Sequence, residues 1–142
     1  MEQKRKVRIL VVDDEQGPRE SIRMILKDEY DVYTASDGEE ALKKLMEKEI
    51  DIVAMDIKMP KTNGLELLQN IKKSVPDVEV FLITGYPSLE TAMEALKFGA
   101  YDYVLKPFDK EVVRDVVRRG ILRQSQNLFE KRMYLMNNRL KG

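Results

Sequence analysis

The chain has 142 residues, with 25 Lys and Arg against 25 Asp and Glu, 43% hydrophobic residues, 7 Gly and 5 Pro. That is one ordinary domain with room for a short appendage, and it excludes collagen-like, low-complexity and membrane-spanning classes. With neither Cys nor His, the chain has no disulfides, no thiolate or imidazole metal centres, no cysteine nucleophile and no imidazole-based triad, so its chemistry falls to carboxylates, hydroxyls and amines.

The balanced charge is unevenly spread. Residues 1–8 carry Lys4, Arg5, Lys6 and Arg8 against Glu2, a net of +3, and residues 120–142 carry five cations against Glu130, a net of +4, which leaves −7 on the stretch between. An acidic body with basic ends argues against direct nucleic-acid binding and for a carboxylate-rich pocket that takes a cation. The apolar run behind the basic start is cut at Asp13 and Asp14, too early for a signal peptide, so the chain is expected to be cytoplasmic and free of membrane.

In chain order, Val7–Val12 is a β-branched apolar run of the kind covered on both faces, and Pro18 suits the first turn of a helix with Ile22, Ile25 and Leu26 on one side. Asp31–Ala35 reads as a second strand; Asp37, with Glu40 three residues on, reads as a capping box for a helix burying Ala41, Leu42, Leu45 and Met46. Ile50–Met55 is a third strand, followed by a helix opening at Gly64 with Leu65, Leu68, Ile71 and Val75 at helical spacing. Val78–Ile83 is a fourth strand, before a helix capped by Ser88 and stopped near Gly99. Tyr101–Leu105 is a fifth, and Asp109 caps a last helix through Val112, Val113, Val116 and Val117. Alternating strands and helices predict an α/β three-layer sandwich with a five-stranded parallel sheet, for which the flavodoxin-like order 2-1-3-4-5 is the leading choice.

In such sheets ligands bind beyond the strand carboxyl ends. Asp13 and Asp14 follow the first strand, Asp56 the third, Thr84 the fourth and Lys106 the fifth. Taken singly they read as helix caps, a turn aspartate, a strand end and a loop lysine. Together they form a phosphoryl-transfer set: clustered carboxylates need a cation, oxygen-only donors point to Mg²⁺, and a hydroxyl with an ammonium can hold the remaining phosphoryl oxygens. No glycine-rich phosphate loop follows the first strand, so a nucleotide hydrolase lacks its cradle.

The segments VVDDE (Val11–Glu15), MDIKMP (Met55–Pro60), LITGYPS (Leu82–Ser88) and GAYDYVLKPF (Gly99–Phe108) resemble, in order, the receiver domain of two-component response regulators. The resemblance implies a phosphorylation-dependent signalling switch rather than a turnover enzyme, with Asp56 as the phosphoacceptor. It further implies that Asp13 and Asp14 hold Mg²⁺ with the backbone carbonyl of Lys58, and that Lys106 pairs with the acyl phosphate ahead of a cis Pro107. Thr84 would reach the phosphoryl oxygen while Tyr103 changes rotamer with it. Lys58 and Tyr86 stand where the family tunes dephosphorylation, and a long cation and a bulky ring there imply slow loss of phosphate. The implied partner is a sensor histidine kinase or phosphotransfer protein. The helix of Ala92, Met93 and Lys97 marks the implied output face, and the stretch from Thr84 to Phe108 also resembles receivers of enhancer-binding transcription activators.

Two other classes stay open at this point. An aspartate-nucleophile phosphatase would need a second carboxylate two residues after Asp56, where Lys58 stands; a pseudo-receiver would act as a docking module only. After Gly120 the apolar pattern changes phase to Leu122, Phe129, Met133, Met136 and Leu140, a short coiled-coil seam interrupted by Gln126. The chain therefore divides into a receiver domain, 1–119, and a helical extension, 120–142, that links to an output domain outside this chain, pairs with a second copy, or both.

Overall fold

Two-residue alternation along the strands sorts the apolar side chains onto the two faces of one sheet. The computed structural model describes residues 5–85 and 88–141. Its strands are β1 (Arg8–Val12), β2 (Asp31–Ala35), β3 (Ile52–Asp56), the two-residue β4 (Lys58–Met59) and β5 (Thr62–Asn63), β6 (Glu79–Thr84) and β7 (Ala100–Leu105). Five of them form a parallel sheet ordered β2-β1-β3-β6-β7, and β4 and β5 pair antiparallel as a separate ribbon. Setting the ribbon aside, this is the expected 2-1-3-4-5 order.

The helices are α1 (Gln16–Leu26), α2 (Gly38–Glu47), α3 (Gly64–Ser74), α4 (Leu89–Lys97) and α5 (Lys110–Lys141). Leu10, Val12, Val53, Met55, Val80 and Leu82 pack with residues of α2, α3 and α4 on one face. Ile9, Val11, Ile52, Ala54, Phe81 and Ile83 pack with α1 and α5 on the other. The central strands β3 and β6 are buried along their whole length, as their unbroken apolar runs require.

Local signals explain most element ends. Asp37 accepts from the Glu40 backbone N–H at 2.8 Å, but the Glu40 carboxylate turns back to the N–H and hydroxyl of Ser36, at 3.0 and 2.9 Å, so the expected box closes one residue before the cap. Ser88 caps α4, and Gly99, at φ 105°, ends it in the left-handed region that glycine adopts without strain. One side chain expected in the core is exposed, Met46 at 81%. It neighbours the buried Leu45, and one step along a helix turns a side chain about 100° away from the face it neighbours.

The expected C-terminal helical extension is part of α5, which runs 32 residues through Gly120 without a break. Gly120 is a notch. A Cβ there would lie 2.3 Å from the Tyr101 hydroxyl oxygen and 3.1 Å from Ile52 Cδ1. The Tyr101 ring fills that space, donates from its hydroxyl to the Val116 carbonyl at 2.8 Å, and meets Phe81 edge-on. Burial pushes the Tyr101 phenol well above its ordinary range, so it remains a donor at any physiological pH. Gly120→Ala separates two effects of opposite sign. Helix propensity favours alanine by about 1 kcal/mol, whereas the displaced ring costs about 1–3 kcal/mol. We expect net destabilisation in urea unfolding; a stabilised variant would show that Gly120 is not a packing notch.

Candidate functional site

The parallel register brings the acidic residues together. Val12 is the partner of Met55 and Asp56 that of Ile83, so Asp13, one step past β1, comes to lie beside Asp56 at the end of β3. Both belong to the α1/α5 side of the sheet by strand alternation, as does Lys106, two residues after Val104. Thr84 and Tyr103 have the opposite parity, that of Leu82, whose register partner is Tyr103.

Asp13 and Asp56 are 1% and 4% exposed, and buried carboxylates need partners. The Lys106 ammonium lies 2.9 Å from Oδ2 of each. Their other oxygens accept backbone N–H groups: Asp13 Oδ1 from Glu15 at 3.0 Å and Asp56 Oδ1 from Lys58 at 2.9 Å. Arg19 on α1 donates to the Asp13 carbonyl at 2.9 Å, holding the loop from the side. Burial alone would lower the Lys106 pKa, but the hydrogen bonds and charges of Asp13 and Asp56 outweigh it and hold the ammonium above its ordinary range. The lysine is therefore charged throughout the physiological range.

Asp14 is exposed beside this pair. Carboxylate oxygens of Asp13, Asp14, Glu15 and Asp56 all lie within 4.8 Å of one another. Glu15 was not among the residues the sequence pointed to; its place next to Asp14 was the only signal, and its carboxylate also approaches Lys106, at 3.7 Å. Four carboxylates this close repel one another, and an all-oxygen donor set with solvent on one side fits a hard divalent cation that keeps some of its waters. Lys58 is exposed on the ribbon next to Asp56.

The approach of α3 to this loop depends on Gly64. A Cβ at that position would sit 2.3 Å from the Ile57 carbonyl oxygen, so only glycine lets α3 start against the backbone that follows Asp56. Asn63, accepting from the Glu66 N–H at 3.2 Å, caps the helix; the sequence reading began this helix at Gly64 without identifying its cap.

Thr84 is fully buried at the end of β6 and its carbonyl accepts from the Lys106 N–H at 2.8 Å. The bond between Lys106 and Pro107 is cis. Tyr103 packs on the α2–α4 side of the core, with a buried hydroxyl that has no hydrogen-bond partner among the described residues. Ala92 is half-buried on α4, and Met93 and Lys97 are exposed. Tyr86 lies outside the described residues. No helix among those described is long and apolar enough to cross a membrane.

Residues 9–118 match the family described as response regulator receiver domain. The regulatory protein AtoC of Escherichia coli is 37% identical over 119 residues, covering 83% of this chain and 26% of that protein. A CheY-like receiver domain protein from Methanospirillum hungatei superposes with a TM-score of 0.81 at 31% identity, covering 85% of this chain and 98% of the other. The beryllofluoride-activated NtrC4 receiver domain dimer gives 0.78 at 36% identity, with 82% and 98% covered. The chain spans about a quarter of the length of the curated relatives it matches. With its sheet order, its rim of carboxylates and lysine, and a match over most of its length, the chain belongs to the response regulator receiver family.

Proposed function

We propose that Asp56 accepts a phosphoryl group from a phosphohistidine on a sensor kinase or phosphotransfer protein, and that the chain acts as a phosphorylation-dependent switch. The observation that carries this is the Asp13–Lys106–Asp56 bridge, with Asp14 and Glu15 open to solvent beside it. An Asp56 carboxylate oxygen attacks phosphorus in line as the P–N bond to the donor imidazole, protonated on its other ring nitrogen, breaks; the electron pair stays on the leaving nitrogen, which leaves an acyl phosphate on Asp56 and a neutral imidazole on the donor. Mg²⁺, when bound, neutralises the phosphoryl oxygens during transfer. Asp13, Asp14 and Asp56, with the Lys58 carbonyl, would hold it, and Lys106 would exchange its Asp56 contact for a phosphoryl oxygen. The phosphatase alternative gains no support, since the position it needs for a general acid carries the exposed Lys58.

The switch reading follows from burial. Thr84 is enclosed, and on the same face of the sheet Tyr103 has a buried hydroxyl with no partner among the described residues. A phosphoryl group drawing the threonine toward it would open space for the ring, altering the surface of α4 and β7, where Leu89, Met93, Leu96 and Leu105 are exposed. Lys58, with Tyr86, is the proposed brake on hydrolysis. An output domain of the enhancer-binding type, outside this chain, is the proposed effector, and a cytoplasmic location is the setting this partnership needs.

Beyond residue 119 we propose a helical extension that pairs with a second copy of the chain. Leu122, Phe129, Met133, Met136 and Leu140 are between 47% and 82% exposed, and they fall on one heptad seam, with Gln126, Met133 and Leu140 at a and Leu122, Phe129 and Met136 at d. A parallel pair sets Ser125 against Glu130 and Arg132 against Asn137 at the flanks; a centred antiparallel pair would set Arg132 against Arg132 and Glu130 against Glu130. Charge therefore favours the parallel arrangement, and a related receiver, NtrC4, has been solved as a dimer.

Two measurements test these readings. With Mg²⁺ and a small phosphodonor, intact mass should show the gain of one phosphoryl group, lost on chelation and absent in Asp56→Asn; a gain retained in that variant would refute the assignment. By sedimentation the chain should self-associate at micromolar concentration and Phe129→Glu should be monomeric, since each seam side chain contributes roughly 1.5–3 kcal/mol when fully buried. An unmodified chain that stays monomeric throughout would leave the extension as a linker only.

A further inference from the structure

At the end of the sheet away from the phosphoryl site, a second buried carboxylate has no part in the chemistry. Glu79, the first residue of β6, is 3% exposed, yet it is followed in the strand by the apolar run Val80, Phe81, Leu82 and Ile83. Both of its oxygens are taken by the extension of α5. Arg123 Nε donates to Oε2 at 3.1 Å, and Asn127 Nδ2 donates to Oε1 at 3.1 Å. Arg123 and Asn127 are four apart and so share one face of the helix.

Between them in sequence, Gln124 donates from one amide nitrogen to the carbonyls of Asp51 and Asp77, at 3.2 and 3.0 Å. One turn beyond the clamp, Lys131 pairs with Asp77 at 3.6 Å. Lys72 is close by but donates to the carbonyls of Pro76 and Val78, so it does not stand in for Arg123. Every one of the α5 residues in these contacts, Arg123, Gln124, Asn127 and Lys131, lies after Gly120, where the apolar core stripe ends.

We propose that Glu79 is a docking site for α5: with Arg123 and Asn127 it clamps the start of the extension to the sheet and sets the direction in which the rest of the helix leaves the body. Gln124 and Lys131, on the clamped side, each lie two residues after a seam residue, Leu122 and Phe129, which is about 200° round the helix. The clamp thus holds one side of the extension and turns the pairing seam outward. Without it, the change of pattern at Gly120 would be a hinge. The inference rests on the pairing reading only for the seam's purpose; the docking stands on the contacts themselves.

The test is amide hydrogen exchange on the full chain in the Phe129→Glu background, where pairing cannot protect the helix. Arg123→Ala with Asn127→Ala should speed exchange of the amides of residues 121–128 by roughly ten- to a hundredfold, the loss of hydrogen bonds to a charged group. Amides of β3 should change far less, and Glu79→Gln, which keeps the shape and can still accept, should give an intermediate effect. Unchanged exchange in 121–128 would overturn the clamp, and so would an equal rise in β3, which would mean general destabilisation. If the chain without substitutions proves monomeric while 121–128 is protected, the pairing reading fails and the clamp stands.

Discussion

One ammonium bridges two buried carboxylates that would otherwise repel one another. Lys106, 2.9 Å from both Asp13 and Asp56, ties the ends of β1, β3 and β7 together, and without it the carboxylates at the ends of β1 and β3 would face each other at low solvent exposure with no counter-charge between them. The site around the bridge is rich in carboxylates, because oxygens of Asp14 and Glu15 lie within 4.8 Å of those of Asp13 and Asp56. A pocket of this composition fits a hard divalent cation that keeps some of its waters.

Strand alternation then divides labour across the sheet. The residues of the acidic bridge have the parity of the α1/α5 side, while Thr84 and Tyr103 belong to the side of α4. On the proposed reading, a change at the acidic rim would reach the opposite face through the buried threonine, with no need for the sheet itself to deform. The same strand that ends at Thr84 begins at Glu79, so β6 carries a residue of the rim at one end and the anchor of α5 at the other.

Much of this was legible in the sequence, for identifiable reasons. Five β-branched runs separated by helical stripes leave few topologies, and any residue just past a run must lie on the rim, which is how Asp13, Asp56, Thr84 and Lys106 could be grouped before their register was known. The miss at Met46 came from extending an apolar stripe by one residue, where a single helical step turns the side chain to solvent. In the sequence Gly120 marks only a change of phase in the apolar pattern; that it receives a tyrosine ring depends on where β7 lies, which is a tertiary fact. Glu79, Arg123 and Asn127 are separated by 44 and 48 positions, and nothing local marks them as partners. Glu15 was hidden by its ordinary surface character, and the β4–β5 ribbon is too short to leave a periodic trace.

The role of Lys106 as counter-charge is tested most directly by thermal and urea unfolding of Lys106→Met with and without Mg²⁺. Loss of the ammonium leaves Asp13 and Asp56 buried without a cation, so stability in the absence of metal should fall by about 1–3 kcal/mol, and added Mg²⁺ should then raise it by more than it raises that of the unsubstituted chain. Equal stability in the two proteins, with the same response to Mg²⁺, would contradict it.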